Sequence, residues 1–367
     1  MKYQNFKNKL KSFLDPSKKT VVFFSQLGNY IKLFGNLHNK FKKNNWNVIN
    51  LKTYLVDSKE FEKKAPTFIV PNFTQNGFED NLDLDFIDLI ISVNSTDKNF
   101  ISFTVQGLYL PHDPLCGILP AKATKYVFLA TEQAIKNMQS DNCSYETKNR
   151  CLISGGYPRL DSAIKYYKKN KNKKEENSIL YMPTSGEPIN ATFNQLQYIV
   201  GFDYHLIQIL LMNFDYDIIV NNHPADKIVN KLYLQFLAKK FKDNPRVHIN
   251  KIDMHKAYVK SKFLITDVSD TAFTYSFTTL KPSIFYVPYK KIKSKNQPTN
   301  IVGVEIRSLD KMCKNINKIL KNSKKFKKQI KRYRDKTYLN LLNSEQYLID
   351  NIDYILENKK HPNWIYT

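Results

Sequence analysis

The stretch "KFLITDVSDTAFTYSFTTLKPSIFYVP" (residues 262–288) decides the fold. It contains an apolar strand, a short polar turn, a helical segment and a second apolar strand. The turn carries Asp267, Ser269, Asp270 and Thr271, which is where the strand ends and the helix begins. Helix N-termini present free N–H groups and the positive end of the helix dipole, so this turn is a candidate phosphate site. The same side chains would also serve simply as helix caps.

The same alternation extends outward in both directions. Strand-like runs such as "TVVFFSQ", "KYVFLAT", "SILYMPT" and "YDIIVNNHP" are each followed by segments with helical apolar spacing. This pattern predicts an α/β fold with mostly parallel sheets and helices on both faces. A lysine-rich linker at 168–178 interrupts it. We therefore expect two α/β domains, at 1–167 and 177–340, with a ligand cleft at their strand ends, and a C-terminal helical tail at 341–367 that packs back on the first domain.

Composition limits the functional class. The 367 residues carry a formal charge of +24, which attracts polyanions such as nucleic acid, anionic lipid or phosphate-containing substrates. The four cysteines are far apart, so neither a zinc site nor a disulfide framework is expected. The N-terminus lacks the apolar core of a signal peptide, and no run is long enough to span a membrane. We expect a cytoplasmic protein, either soluble or peripheral on the inner face of the cell membrane.

Two histidines lie where catalysis is plausible. In "LYLPHDPLCG" (108–117), prolines flank His112 and Asp113, and such a stiff loop suits a general base. In "DYDIIVNNHPAD" (215–226), a strand delivers Asn222 and His223 to a turn that opens a helix. His223 would there neutralise or hydrogen-bond a phosphate, or form a local turn contact. The other five histidines are expected to be structural or surface residues.

Two further strand ends carry candidate binding groups. "SGGYPRLD" (154–161) combines a glycine turn with Arg159, which could reach a phosphate or pair with Asp161. "YMPTSGEP" (181–188) ends a strand in Thr184 and Ser185, whose hydroxyls and backbone could hold a phosphate or ribose.

Four of these stretches occur in the order "GGYPRLD", "LYMPTSG", "IIVNNHP" and "FLITDVSDTAFTYSFTTLKPSIFY". In this order they resemble the CDP-glycerol glycerophosphotransferases, the bacterial teichoic-acid and capsule polymerases and primases. The resemblance extends over about residues 105–290, and the last stretch is its most specific element.

The resemblance implies a GT-B-like fold, with two Rossmann-like domains facing each other across a cleft and the nucleotide mainly against the C-terminal one. It implies transfer of glycerol or ribitol phosphate from a CDP-linked donor to a hydroxyl of a lipid-linked or polymeric cell-surface glycan, in capsule, teichoic acid or lipopolysaccharide. His112 falls on the family's base and His223 on the histidine that assists at the pyrophosphate. The positions that fall on donor-site motifs are Thr184, Asp267, Ser269 and Asp270.

The chain departs from the family pattern at four places. It has "HDPLCG" where the family has "HGT" and a lysine, "PTSG" for "PTWR", Asn221 for an arginine, and Asp270 for a serine. These changes remove cations and add a negative charge, so the donor is left open between CDP-glycerol, CDP-ribitol, another activated polyol and a nucleotide sugar. The acceptor, primase or polymerase action and the oligomeric state do not follow from the sequence.

Two other functions stay open. One is a GT-B glycosyltransferase that uses a nucleotide sugar in capsule or lipopolysaccharide synthesis. The other is a non-catalytic polyanion- or membrane-binding protein, although no nucleic-acid motif is present and no nucleic-acid partner is predicted. The basic segment 318–334, "KILKNSKKFKKQIKRYR", either lies on anionic lipid or is a solvated helix face. The sequence implies no certain cofactor. The acids form no evident ligand cluster, and dependence on a divalent metal is left open.

Overall fold

The computed structural model describes residues 2–25, 30–53, 59–70, 73–74, 77–78, 84–93, 106–111, 124–139, 149–172, 177–184, 203–223, 226, 230–267, 269–287 and 298–367. Its strands are β1 (Thr20–Ser25), β2 (Asn47–Lys52), β3 (Thr67–Ile69), β4 (Phe73–Thr74), β5 (Gly77–Phe78), β6 (Leu89–Ser92), β7 (Gln106–Tyr109), β8 (Tyr126–Leu129), β9 (Cys151–Ser154), β10 (Ser178–Tyr181), β11 (Asp217–Val220), β12 (Val247–Ile249), β13 (Ser261–Thr266), β14 (Ser283–Tyr286), β15 (Gly303–Ile306) and β16 (Ile365–Tyr366). Its α-helices are α1 (Lys2–Lys11), α2 (Leu37–Lys43), α3 (Lys59–Glu62), α4 (Glu132–Gln139), α5 (Pro158–Asn170), α6 (Asp203–Asn213), α7 (Lys231–Lys240), α8 (Met254–Lys260), α9 (Thr271–Thr279), α10 (Thr299–Val302), α11 (Met312–Lys321), α12 (Ser323–Thr337), α13 (Ser344–Asp350) and α14 (Ile352–Leu356).

The chain divides into two compact units. Unit 1 comprises Met1–Ser162 and Thr337–Thr367, and unit 2 comprises Ala163–Lys336. Each unit is built on one large parallel sheet, because buried apolar strands alternate with helices along the chain.

Unit 1 contains an eight-stranded sheet in the order β16-β9-β8-β7-β6-β1-β2-β3. All its pairs are parallel except β16 with β9, which is antiparallel. Strand β1 is buried on both faces, as expected for a central parallel strand. Its Val22 and Phe24 pack with Leu10 of α1. Phe23 points to the opposite face and stacks on His38 of α2 at 3.8 Å.

Unit 2 contains a six-stranded sheet in the order β12-β11-β10-β13-β14-β15, and every pair in it is parallel. Counted along the chain, this order is 3-2-1-4-5-6, the doubly wound arrangement. One face of the sheet packs against α6, α7 and α11. The prediction of an α/β fold with two Rossmann-like sheets is therefore confirmed.

The C-terminal segment of unit 1 is attached to α5 by buried acids. The Asp161 carboxylate accepts hydrogen bonds from the backbone N–H groups of Leu342 (2.7 Å) and Ser344 (2.9 Å) and from the Ser344 hydroxyl (2.5 Å). Glu345 accepts from the Asn36 backbone N–H at 2.7 Å and from the Ser162 hydroxyl at 2.9 Å. The two carboxylates thus fix the position of the returning chain through directional hydrogen bonds.

The basic segment 318–334 has its apolar side against the protein. Ile319 and Ile330 are fully buried, and Leu320 and Phe326 pack on the core of unit 2. Ile319 and Ile330 are therefore not available to lie on lipid, and Leu320 and Phe326 are only partly exposed. The outward face of α12 carries the lysines. None of the helices in the described part of the chain has the length and hydrophobicity that crossing a bilayer requires.

Candidate functional site

The centre of the candidate site is a bond between two adjacent strand ends. Thr184 follows β10 and Asp267 follows β13. The Thr184 hydroxyl donates to Asp267 Oδ1 at 2.6 Å, and its backbone N–H lies 3.2 and 3.1 Å from Oδ1 and Oδ2. Because β10 and β13 pair directly and in parallel, both residues leave the sheet at the same edge.

This edge is the topological switch point of unit 2. The strand order reverses between β10 and β13, so the chain leaves these two strands toward opposite faces of the sheet. In open α/β sheets, ligands bind in the crevice that this divergence creates outside the carboxyl ends of the strands. Thr184, Asp267 and Ser269 therefore lie where a nucleotide site is expected.

Asp267 holds the surrounding loops in place. Its side chain is 1% exposed. Besides Thr184, its carboxylate accepts from the Ser269 N–H at 3.1 Å and from the Thr266 hydroxyl at 3.3 Å. Burial raises the pKa of Asp267, and the bonds from Thr184 and Thr266 oppose that shift. The carboxylate therefore joins the two strand ends rather than presenting its oxygens to solvent.

Ser269 caps the helix that follows. Its hydroxyl accepts the Thr271 N–H at 3.3 Å, and its carbonyl accepts the Ala272 N–H at 3.1 Å. Asp270 occupies the position before α9 but makes no side-chain capping bond. Helix α9 is buried from its second residue, Ala272, to Thr279, so the direction of its dipole is fixed by packing.

At the end of the neighbouring strand, β11, His223 lies beside a hydrogen-bonded pair of asparagines, Asn222 and Asn250. The Asn222 N–H donates to Asn250 Oδ1 at 3.0 Å, and Asn250 Nδ2 donates to Asn222 Oδ1 at 3.1 Å. Asn250 has a left-handed backbone (φ 52°), and its N–H bonds to the Val220 carbonyl at 2.7 Å. This pair locks the ends of β11 and β12 together. His223, the next residue, is exposed.

The glycine turn before Arg159 belongs to unit 1 and serves packing. A side chain at Gly155 would overlap the Phe128 ring, and one at Gly156 (φ 104°) would meet the Leu339 carbonyl at 2.6 Å. Both glycine N–H groups bond to the Leu129 carbonyl, at 3.0 and 2.9 Å. Arg159 lies in the first turn of α5 and is partly exposed.

The structure thus brings Thr184, Asp267 and Ser269 together, with Asp270 and Thr271 in the same turn. Asn222 and His223 lie at the end of another strand of the same sheet, and Arg159 lies in the other unit. Three predicted site residues fall outside the described residues: His112, Asp113 and Ser185.

Sequence reasoning missed a buried group beneath Thr184. The Tyr181 hydroxyl donates to Asp203 Oδ1 at 2.5 Å, and both side chains are 1% exposed. Burial raises the pKa of Asp203 to about 8. Asp226 is also buried and accepts from Asn230 Nδ2 at 2.9 Å. The only signal in the sequence was an acid at the start of an otherwise apolar helix, which ordinarily indicates a cap.

Metal binding is not indicated in the part of the chain that the structure describes. No group of three His, Cys, Asp or Glu side chains is arranged there to hold an ion.

Solved structures show the same fold. The wall teichoic acid polymerase TagF aligns at 17% identity over 96% of this chain and 92% of TagF, with a TM-score of 0.62. A UDP-GlcNAc 2-epimerase of Methanocaldococcus jannaschii, solved with UDP-GlcNAc and UDP, aligns at 14% identity over 91% of this chain and 99% of its own, with a TM-score of 0.55. A putative UDP-N-acetylglucosamine 2-epimerase of Listeria monocytogenes aligns at 12% identity over 95% of this chain and 100% of its own, with a TM-score of 0.58. These likenesses confirm a GT-B-like fold.

A match to a protein-family model shows to which family the chain belongs. No curated protein matches the sequence. The model described as CDP-glycerol:poly(glycerophosphate) glycerophosphotransferase matches residues 120–352, more than half of the chain. That range includes every described element of the site built above, from β8 to α13. The chain therefore belongs to the CDP-glycerol:poly(glycerophosphate) glycerophosphotransferase family and is a transferase of that class.

Proposed function

We propose that this transferase moves a polyol phosphate from a CDP-linked donor to a hydroxyl of a polymeric cell-surface glycan. Glycerol phosphate is the first candidate for the transferred group. The observation that carries the proposal is the Thr184–Asp267 pair at the switch point of a sheet in a chain of this family. A nucleotide bound there lies outside the strand ends, where its phosphates meet backbone N–H groups and a helix N-terminus.

In the donor site, each described residue has a distinct role. Asp267 positions the loops that follow β10 and β13, since its oxygens are engaged by them. Thr184 and the N-terminal turn of α9 border the pyrophosphate. His223 is exposed at the end of β11 and supplies a hydrogen bond or positive charge to the pyrophosphate. Asn222 holds the backbone beside it through Asn250.

The reaction is an in-line displacement at phosphorus. The acceptor hydroxyl oxygen forms a bond to the phosphorus that carries the polyol, the bond from that phosphorus to the bridging pyrophosphate oxygen breaks, and CMP leaves. His112 takes the acceptor proton, a role that rests on its place in the family motif. Positioning and electrostatic stabilisation supply most of the rate in phosphoryl transfer, so this small set of groups suffices.

The acceptor is carried on, or grows from, the inner face of the cell membrane. The outward face of α12 supports this part of the proposal, because Lys324, Lys327 and Lys328 are exposed on it. With the apolar side of the helix buried, any contact with the membrane is electrostatic, and each lysine near an anionic surface contributes about 1 kcal/mol. A lipid-linked acceptor at that surface would then be close to the enzyme.

The testing experiment is calorimetric titration with CMP, CDP-glycerol, CDP-ribitol, UDP-sugars and CMP-sugars. We expect preferential binding of a CDP-polyol and a clear loss of affinity in His223→Ala. His205→Ala is the matched control, because His205 is also exposed but lies on α6. Absence of any nucleotide binding would overturn the proposal.

The glycosyltransferase alternative keeps the same fold. It is distinguished by preferential binding of a nucleotide sugar and by a glycosidic rather than a phosphodiester linkage in the product. The family match favours the phosphodiester.

A further inference from the structure

The end of β10, the strand that precedes Thr184, is hydrogen-bonded to a buried acid. Tyr181 is the last residue of β10, and Asp203 is the first residue of α6. Their side chains meet at 2.5 Å in the core of unit 2. Three residues after Tyr181, Thr184 bonds to Asp267. The end of β10 is therefore fixed at two points, by Asp267 at the sheet edge and by Asp203 below it.

Among the described residues, the titratable groups that act on Asp203 come from several elements. Tyr181 faces it from β10 and Tyr233 from α7, while Asp226 lies just before α7 and Asp267 just after β13. We call Asp203, Asp226 and Asp267 the acid cluster. All three are at most 2% exposed. The charged neighbours that act most strongly on Asp203 are thus themselves acids, and each disfavours a second negative charge.

Geometry also indicates that Asp203 carries a proton. Its Oδ1 accepts from Tyr181, whereas its Oδ2 faces the Tyr233 hydroxyl without a hydrogen bond of normal geometry. A charged oxygen buried in this way is strongly unfavourable, and a protonated one is much less so. Burial and the neighbouring carboxyls accordingly raise the pKa of Asp203 to about 8.

We propose that Asp203 is a positioning residue for the donor, and that binding of a nucleoside diphosphate at the switch point is coupled to uptake of a proton by Asp203. This inference rests on the proposed function. The donor brings two negative phosphates to the strand end above the cluster, and like charges raise the affinity of nearby carboxyls for protons. By linkage, a proton already present on Asp203 strengthens donor binding.

CDP-glycerol is a suitable probe because both of its phosphates are diesterified and do not titrate between pH 6 and 9. Calorimetry in buffers of different ionisation enthalpy gives the number of protons taken up on binding. At pH 8, close to the pKa of Asp203, we expect a clear uptake of less than one proton, because Asp203 is only partly protonated in the free protein. At pH 6 we expect close to none, and the affinity should weaken as the pH rises from 7 to 9.

Asp203→Asn is the decisive variant, because the amide oxygen still accepts from Tyr181 but cannot titrate. It should bind CDP-glycerol with a pH-independent affinity and without proton uptake. Asp243→Asn removes an exposed carboxyl of unit 2 and should leave the uptake unchanged. If Asp203→Asn does not fold, Tyr181→Phe provides the second test. Loss of the hydroxyl removes a donor that favours the charged form of Asp203, so the pH at which donor affinity weakens should shift upward relative to the native chain.

The outcomes separate this inference from the proposed function. Binding of CDP-glycerol without any buffer dependence at pH 8, or with the same uptake in Asp203→Asn, overturns the role of Asp203 and leaves the proposed function standing. Absence of CDP-glycerol binding at both pH values overturns the proposed function, and the inference with it.

Discussion

Thr184 donates both its hydroxyl and its backbone N–H to the buried carboxylate of Asp267, across the two strands between which the sheet order of unit 2 reverses. The two residues are 83 positions apart in the chain. The contact joins the strand–loop–helix elements on either side of the switch point, so donor affinity and the stability of unit 2 should depend on the same bond.

Substitutions of Thr184 and Asp267 should separate the contribution of the hydrogen bond to stability from that of the carboxylate charge. Thr184→Val removes the hydroxyl and should lower the free energy of unfolding by about 1 kcal/mol. Asp267→Asn places an NH2 group among donors and should cost about 1–3 kcal/mol for each donor left unpaired. Urea unfolding monitored by circular dichroism measures both. Thr299→Val is the control, because it removes a threonine hydroxyl of α10 whose bond to Glu305 (2.8 Å) lies at the surface. An Asp267→Asn protein as stable as the native chain would contradict the proposed role.

The stability of unit 2 should fall as pH rises from about 4 to about 8. The pKa of Asp203 is raised from 3.8 to about 8 on folding, so folding takes up a proton between these values. The stabilisation is complete below the unfolded pKa and is lost as the pH rises through the folded pKa, with a slope of up to about 1.4 kcal/mol per pH unit. The raised pKa of Asp267 acts in the same direction. Urea unfolding at a series of pH values should show this slope in the native chain and a flatter one in Asp203→Asn.

His112→Asn should lower kcat by a factor of about 100 or more while leaving the Kd for the donor nearly unchanged, because a general base acts on the acceptor hydroxyl. His223→Ala should instead weaken donor binding. Radiolabelled CDP-glycerol, followed into the polymer and in equilibrium binding, gives both quantities. A reversed pattern, with His112→Asn affecting only donor binding, would exchange the two proposed roles.

Arg334→Met should destabilise unit 2 and disturb α9, the helix whose N-terminal turn borders the proposed donor site. The Arg334 side chain is 7% exposed, and its Nη1 donates to the Phe277 carbonyl near the end of α9 at 2.9 Å. Loss of a charged hydrogen bond of this kind typically costs about 1.5–3 kcal/mol. Arg332→Met removes an exposed arginine from the same helix and is the matched control. Equal thermal midpoints for the two variants would show that the buried bond contributes little.

Reversing three charges on α12 should weaken membrane contact without affecting the fold. Lys324→Glu, Lys327→Glu and Lys328→Glu together should abolish flotation with anionic liposomes at low salt, and added salt should do the same to the native chain. The matched triple variant carries the same changes at exposed Lys9, Lys11 and Lys43 of unit 1. A native chain that stays in the bottom fraction at low salt would contradict the membrane proposal.

The local pattern of the sequence was sufficient for much of this description. Apolar runs of strand length, each followed by helical spacing, predicted the two parallel sheets, because a strand buried on both faces is apolar throughout. The same pattern located the strand ends at Thr184, Asn222 and Asp267, and the order of the motifs indicated the family that the match over residues 120–352 confirms.

Pairings between distant residues could not be predicted in this way. Nothing local distinguishes Asp203, which begins α6 and bonds to Tyr181, from an ordinary helix cap, or Asn250 from a turn residue. The amphipathic pattern of α12 was equally compatible with a lipid contact and with packing on the sheet.

The sequence by itself thus determined which segments form strands and helices and which polar residues end them, because periodicity and turn chemistry act over a few residues. Only the tertiary structure decided which strand ends adjoin and which acids share a buried space. Those outcomes depend on strand order and burial, and both arise from contacts between residues far apart in the chain. The raised pKa of Asp203 is one such result, since desolvation and neighbouring carboxyls exist only once the sheet and its helices have assembled.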